Sequence, residues 1–126
     1  PKPSCITAHL APPTPAPTLD AHADNWDAAR LRIRQLMHKR VGIVRTVARL
    51  QEAFCALETL AAQLEAAYRQ TPITVDSCEA RNLAACALLI TQSALARKES
   101  RGLHYVLDYP ESRDEYAVCP TLITPV

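Results

Sequence analysis

Apolar positions recur at helical spacing through two long proline-free stretches. Proline is absent from 18 to 71 and again from 73 to 109. An interior proline costs a helix about 3 kcal/mol, so these gaps are where helices can run. In the first gap Trp26, Ala29, Ile33, Leu36, Met37 and Val41 predict a helix over 26–41, with Asp24 or Asn25 placed to cap its first turn. Gly42 then predicts a bend or short break, because glycine weakens a helix interior. Beyond it Val47, Leu50, Phe54, Leu57, Ala61, Leu64 and Tyr68 step by 3, 4, 3, 4, 3, 4, a seam of almost three heptads that Pro72 ends.

The second gap opens on Thr74, Asp76 and Ser77, all competent caps, ahead of Leu83, Ala87, Ile90, Ala94 and Leu95. Alanines at 80, 84, 85, 87, 94 and 96 make this third helix thin enough for neighbours to approach closely. Arg97 and Lys98 stand at its C-terminal end, where unpaired carbonyls favour cations. After Gly102 the period changes. Leu103, Tyr105, Leu107 and Tyr109 alternate with His104, Val106 and Asp108, which predicts an extended strand. One strand cannot satisfy its own backbone groups, and an isolated three-helix domain offers it no evident partner, so a neighbouring domain is expected to supply one. The predicted fold class is all-α: a three-helix antiparallel bundle over 25–102 with an extended C-terminal arm and tail over 103–126. Residues 1–24, with Pro1, Pro3, Pro12, Pro13, Pro15 and Pro17 among Ala and Thr, are expected to form an extended linker.

Composition narrows the classes of function. The chain has 126 residues and a net charge of +1, so no global field recruits nucleic acid or a membrane surface. Its apolar runs fall short of the ~18 residues of a membrane span. It begins at Pro1 with its single methionine at Met37, and is expected to be a piece of a longer polypeptide without a signal peptide. Five cysteines, at 5, 55, 78, 86 and 119, include no C-x-x-C pair and are expected to be free thiols of a reducing cytoplasm, two of them among apolar helix neighbours. The two glycines, Gly42 and Gly102, cannot build a G-x-G-x-x-G or P-loop cradle.

Candidate chemistry is sparse. Arg30, Arg32, Arg34, Lys39, Arg40, Arg45 and Arg49 make residues 28–51 basic, best read as a solvated or domain-facing surface, since core positions interrupt them and aromatics are few. Ser100, His104 and Asp108 resemble a catalytic triad only as a list, because four residues of extended chain span about 13 Å. No metal site is expected. The Arg97–Arg101 knot holds three cations and Glu99 within five residues. It reads either as surface salt bridges or as an interdomain anchor, with Arg101 forked onto a group of another domain. The candidate contact set is Arg97, Glu99, Arg101, Leu103, His104 and Tyr105.

Four runs carry a resemblance. They are Arg34-Gln35-Leu36-Met37, Val41-Gly42-Ile43-Val44-Arg45-Thr46, Arg81-Asn82-Leu83, and Arg97 to Tyr105 with Leu107-Asp108-Tyr109-Pro110. In order and spacing they resemble the C-terminal helical region of the L-aspartate oxidase family over about residues 25–112. Glu99-Ser100-Arg101-Gly102 is shared with the related succinate dehydrogenase and fumarate reductase flavoproteins. Those usually continue with Ala-His, whereas Leu103-His104-Tyr105 favours the oxidase. The resemblance implies a parent enzyme with FAD in an upstream Rossmann-like domain and a capping domain over the substrate. It implies oxidation of L-aspartate to iminoaspartate, which quinolinate synthase consumes on the way to NAD. The family's flavin and substrate contacts lie upstream of the matched region, so none carries over to a residue here. The piece by itself is expected to hold no cofactor, to be inactive, and to buttress the flavin and capping domains. The alternatives are the same domain of a succinate dehydrogenase or fumarate reductase flavoprotein, and a free-standing helical interaction module.

Overall fold

The structure, a computed structural model, describes residues 6–9 and 26–124. Three helices dominate it: α1 Trp26–Arg40, α2 Val47–Gln70 and α3 Val75–Ala96. The candidate caps Asp24 and Asn25, and Cys5, lie outside the described residues. After α1 the chain breaks at Gly42, as expected, and runs through a two-residue strand, β2 Val44–Arg45, before α2 begins. Thr46 caps α2, its hydroxyl accepting from the Arg49 N–H at 3.2 Å. Thr74 and Ser77 form a reciprocal capping box at the start of α3.

Ion pairs and packing fix the helix directions. Arg30 near the start of α1 reaches Asp76 and Glu79 at the start of α3, as well as Asp27, while Thr91 of α3 lies 3.7 Å from the Met37 sulfur late in α1. These two helices are therefore parallel. Glu65 late in α2 meets Arg81 early in α3 at 2.6 Å, so α2 runs antiparallel to both, giving an up-down-up bundle.

The core differs in detail from the predicted seam. Leu50, Ala53, Leu57, Leu60 and Leu64 are the buried residues of α2, whereas Phe54 and Ala61 are half-buried, because α2 turns a wide face between two neighbours. On α3 the buried face is Ser77, Ala80, Ala84, Ala87, Thr91 and Ala94, with Gln92 beside it; Ile90 is exposed. Small side chains line this face because both other helices lie against it and their backbones must come close. Ile33, Leu57, Leu60, Leu64, Ala80, Ala84 and Ala87 form the main cluster. Val41, Leu50, Ala53 and Ala94 form a second one nearer the end where α2 begins, with Met37 touching both.

The C-terminal region is an arm, yet it holds less continuous strand than its alternation predicts. Within the alternating run from 103 to 109 only Tyr105–Val106 is strand, β3, flanked by tight turns that pair Arg101 with His104 and Val106 with Tyr109. Gly102 sits at φ 58°, in the left-handed region that glycine enters without strain, and so reverses the chain. The strand's partner is not in another domain. It is β2 of the same chain, parallel, with Val44 opposite Tyr105 and Arg45 opposite Val106. A parallel pair needs a long crossover, and the α2–α3 hairpin supplies it. A second parallel pair joins β1 Ile6–His9 to β4 Thr121–Thr124, so a strand with a partner occupies part of the segment expected to be linker.

Candidate functional site

Glu99 is the centre of the arm. Its side chain is fully buried. Arg97 donates to Oε1 through Nε at 2.7 Å, and Arg101 forks onto the carboxylate at 3.2–3.3 Å. The Arg113 backbone N–H adds a bond to Oε2 at 2.8 Å. Burial alone pushes the carboxyl up; the Arg113 amide and the Arg101 and Arg97 guanidinium groups outweigh it and hold the group down at about 2. Both arginines also close on the tail. Arg97 donates to the carbonyls of Tyr116 and Cys119 at 2.7 and 3.1 Å, and Arg101 to that of Arg113 at 3.0 Å. Hydrogen bonds within this chain therefore engage all three charged members of the candidate set.

His104 is fixed just as tightly. Arg45 donates to its Nδ1 at 2.7 Å, and a guanidinium has no lone pair to offer in return. Nδ1 must therefore be the unprotonated nitrogen, and Nε2–H donates to the Arg97 carbonyl at 2.9 Å. Burial pushes this imidazole below its ordinary pKa, and the Arg45 charge works in the same direction. Burial also lowers the Arg45 guanidinium. Ser100 and Asp108 go elsewhere. The Val106 N–H donates to Ser100 Oγ at 2.9 Å, and the Ser100 hydroxyl donates to the Tyr109 carbonyl at 2.7 Å. Asp108 Oδ2 accepts from the Val47 N–H at 2.8 Å, at the first turn of α2. Three residues that resemble a triad in sequence thus bond to separate parts of the backbone, at Val106 and Tyr109, at Arg97 and at Val47.

Leu103 and Tyr105 behave oppositely. Both are exposed, Leu103 by 74%. Arg97, Glu99 and His104 are wholly or partly buried, Arg101 is exposed but bonds back to Glu99, and the apolar members face outward. Sequence reasoning missed Arg45, Arg113 and Asp108 as supports of the arm. Arg113 contributes through its amide, which no residue type advertises. Asp108 was visible as the polar partner of an alternation and as a member of the discounted triad, and neither marked it as a helix cap.

Other candidate chemistry is thin among the described residues. No group of three His, Cys, Asp or Glu is placed to hold a metal ion. Cys55, Cys78 and Cys86 are free thiols, and Cys55 and Cys86 are exposed rather than packed among apolar neighbours. The basic run is partly neutralised, with Arg30 paired to Asp27, Asp76 and Glu79, and Arg40 to Glu52 at 3.0 Å. A depression of about 200 Å³ on α1, lined by Arg32, Gln35, Leu36, Lys39 and Arg40, is small beside ordinary ligand sites. Nor do these residues fit a flavin dinucleotide. Gly42 lies in the bend after α1 and Gly102 in the turn before β3, and neither opens a helix N-terminus as a pyrophosphate cradle requires.

A family model described as fumarate reductase flavoprotein C-term matches residues 30–125. The L-aspartate oxidase of Pseudomonas aeruginosa is 45% identical over 102 residues, which cover 78% of this chain and 18% of that protein. The chloroplastic L-aspartate oxidase of Arabidopsis thaliana is 42% identical over 101 residues, covering 76% and 15%. That of Yersinia pestis is 36% identical over 125 residues, covering 88% and 23%. The chain spans about a fifth of the length of the curated relatives it matches. No solved structure matches it. The matched span holds most of the bundle, the Glu99 cluster and the β2–β3 pair together, and the chain belongs to the fumarate reductase flavoprotein C-terminal family.

Proposed function

We propose that this chain is the C-terminal helical domain of an FAD-dependent L-aspartate oxidase, and that it acts as a structural buttress for the flavin and capping domains of that enzyme. One observation carries the reading: the relatives that match most of the chain are named L-aspartate oxidases. The parent oxidises L-aspartate to iminoaspartate and passes it to quinolinate synthase for NAD synthesis. Flavin chemistry belongs to the preceding domains, and no step of it is assigned to a residue here. The architecture supports a buttress. The charged residues of the arm are spent on holding it rigid, which suits a surface that must keep its shape against a neighbour.

The free thiols of Cys55, Cys78 and Cys86 support a reducing compartment, the cytoplasm in this reading. Among the described residues no helix is long and apolar enough to cross a membrane. The test is expression of the complete reading frame beside the 126-residue chain. The complete protein is expected to show flavin absorbance and to turn over L-aspartate in preference to succinate, and the chain alone to do neither. Preference for succinate, or flavin retained by the 126-residue chain, overturns the proposal.

A further inference from the structure

Among the described residues twelve large hydrophobic ones are exposed, and five of them lie on the β2–β3 pair and its flanks: Ile43, Val44, Leu103, Tyr105 and Leu107, between 39% and 74% exposed. The remainder are scattered over α1, α3, the α2–α3 turn and the tail, so this cluster is the one that needs a reason. Register supplies the geometry. Val44 and Tyr105 are directly opposed, and opposed residues of a pair share a face. The next pair, Arg45 and Val106, takes the other face, where Val106 is buried and Arg45 bonds to His104 and to the Gly42 carbonyl.

A mobile loop would fold such side chains away from water. This segment is pinned from behind by Ser100, by the Arg45–His104–Arg97 chain and by Asp108 on α2, so its apolar residues stay outside. We propose that this apolar face is where the preceding, flavin-bearing part of the same polypeptide docks, a proposal that rests on the reading of the chain as the C-terminal domain of a longer flavoenzyme. Size and length both select that occupant. The five side chains offer on the order of 500 Å², which suits a contact between domains of one chain. A stable dimer takes roughly 800 Å² from each partner. A tethered neighbour needs less area because its effective concentration is high. The family model is a C-terminal one, and the relatives carry about four-fifths of their length beyond the matched part.

The experiment uses the intact flavoenzyme, with Tyr105 replaced by a photo-crosslinking benzoylphenylalanine and, separately, with Leu103→Asp. Ile73→Asp is the control, an exposed apolar residue in the α2–α3 turn at the opposite end of the bundle. Crosslinks are expected from position 105 to residues preceding this domain within one polypeptide. Leu103→Asp is expected to speed hydrogen exchange over 43–45 and 103–107 at least tenfold, and Ile73→Asp to leave it unchanged. Crosslinks between two copies overturn the proposal, as does an exchange rate within twofold of wild type in Leu103→Asp. L-aspartate turnover, recorded on the same preparations, judges the substrate reading separately. An enzyme active on L-aspartate whose position 105 captures nothing overturns the docking face alone. An enzyme acting on another substrate with the expected crosslinks overturns only the substrate reading.

Discussion

Glu99 gathers the end of α3, the Gly102 turn and the tail beyond Pro110 onto one carboxylate, and its value follows from what its loss would strand. Glu99→Gln keeps the shape but leaves the largely buried Arg97, and the more exposed Arg101, without their counter-charge. Removing one partner of a buried pair costs about 3 kcal/mol, which urea unfolding at neutral pH will read. The pH dependence has a definite sign. The folded carboxyl, at about 2, lies below its ordinary 4.5. Its contribution is therefore complete above 4.5 and lost as the pH falls towards 2. The gap between wild type and Glu99→Gln should close across that window. His104 is also lowered from its ordinary 6.5, because burial and the Arg45 charge favour the neutral ring. Its stabilising effect is present above 6.5 and lost as the pH falls through the folded value, so NMR titration of His104 should give a midpoint below 6.5, with the proton on Nε2 in the neutral form.

Elements here are held by groups far away in sequence. The first turn of α2 has free N–H groups; Thr46 takes one, and Asp108, sixty-one residues on from Val47, takes another. Asp108→Ala should cost about 1 kcal/mol in thermal unfolding, and Asp108→Asn less, as for other lost helix caps. On α3 the limit is space rather than polarity. Ala84 is buried in the main cluster between all three helices. Ala84→Leu should destabilise by about 1–3 kcal/mol through overpacking. A neutral result in calorimetry would mean that the helices are less closely apposed there than the buried alanines imply.

At the scale of the whole molecule the tail closes the bundle. β4 lies parallel to β1, and Arg97 ties the segment just before β4 to the end of α3 through the carbonyls of Tyr116 and Cys119. Arg97→Ala should therefore raise hydrogen exchange in Thr121–Thr124 well above that in α2, whose residues it does not touch; equal protection would show that the strand pair holds without the arginine. The arm thus has two sides with separate tasks. The inner side joins bundle, turn and tail, and the outer side is the apolar face proposed to receive the rest of the enzyme.

Much of this was legible in the residues themselves. Proline gaps and period 3.6 placed all three helices near their observed ends, Thr74 and Ser77 were readable as the cap of α3, and Gly42 marked the break, because each depends on neighbours within a few positions; the reversal at Gly102 was not read from the sequence. The runs from Arg34 to Pro110 also carried the family. The roles of side chains in the arm were a different matter. Alternation marked an extended segment after Gly102 but could not say that Val44 and Arg45 lie beside it, since that pairing is made by a two-helix crossover. Nor could residue type say that Arg97 and Arg101 turn inward to Glu99 while Leu103 and Tyr105 turn outward. Local pattern determines which backbone a segment adopts; which atoms that backbone then meets is decided only when distant segments pack, because burial and hydrogen bonding act between neighbours in space.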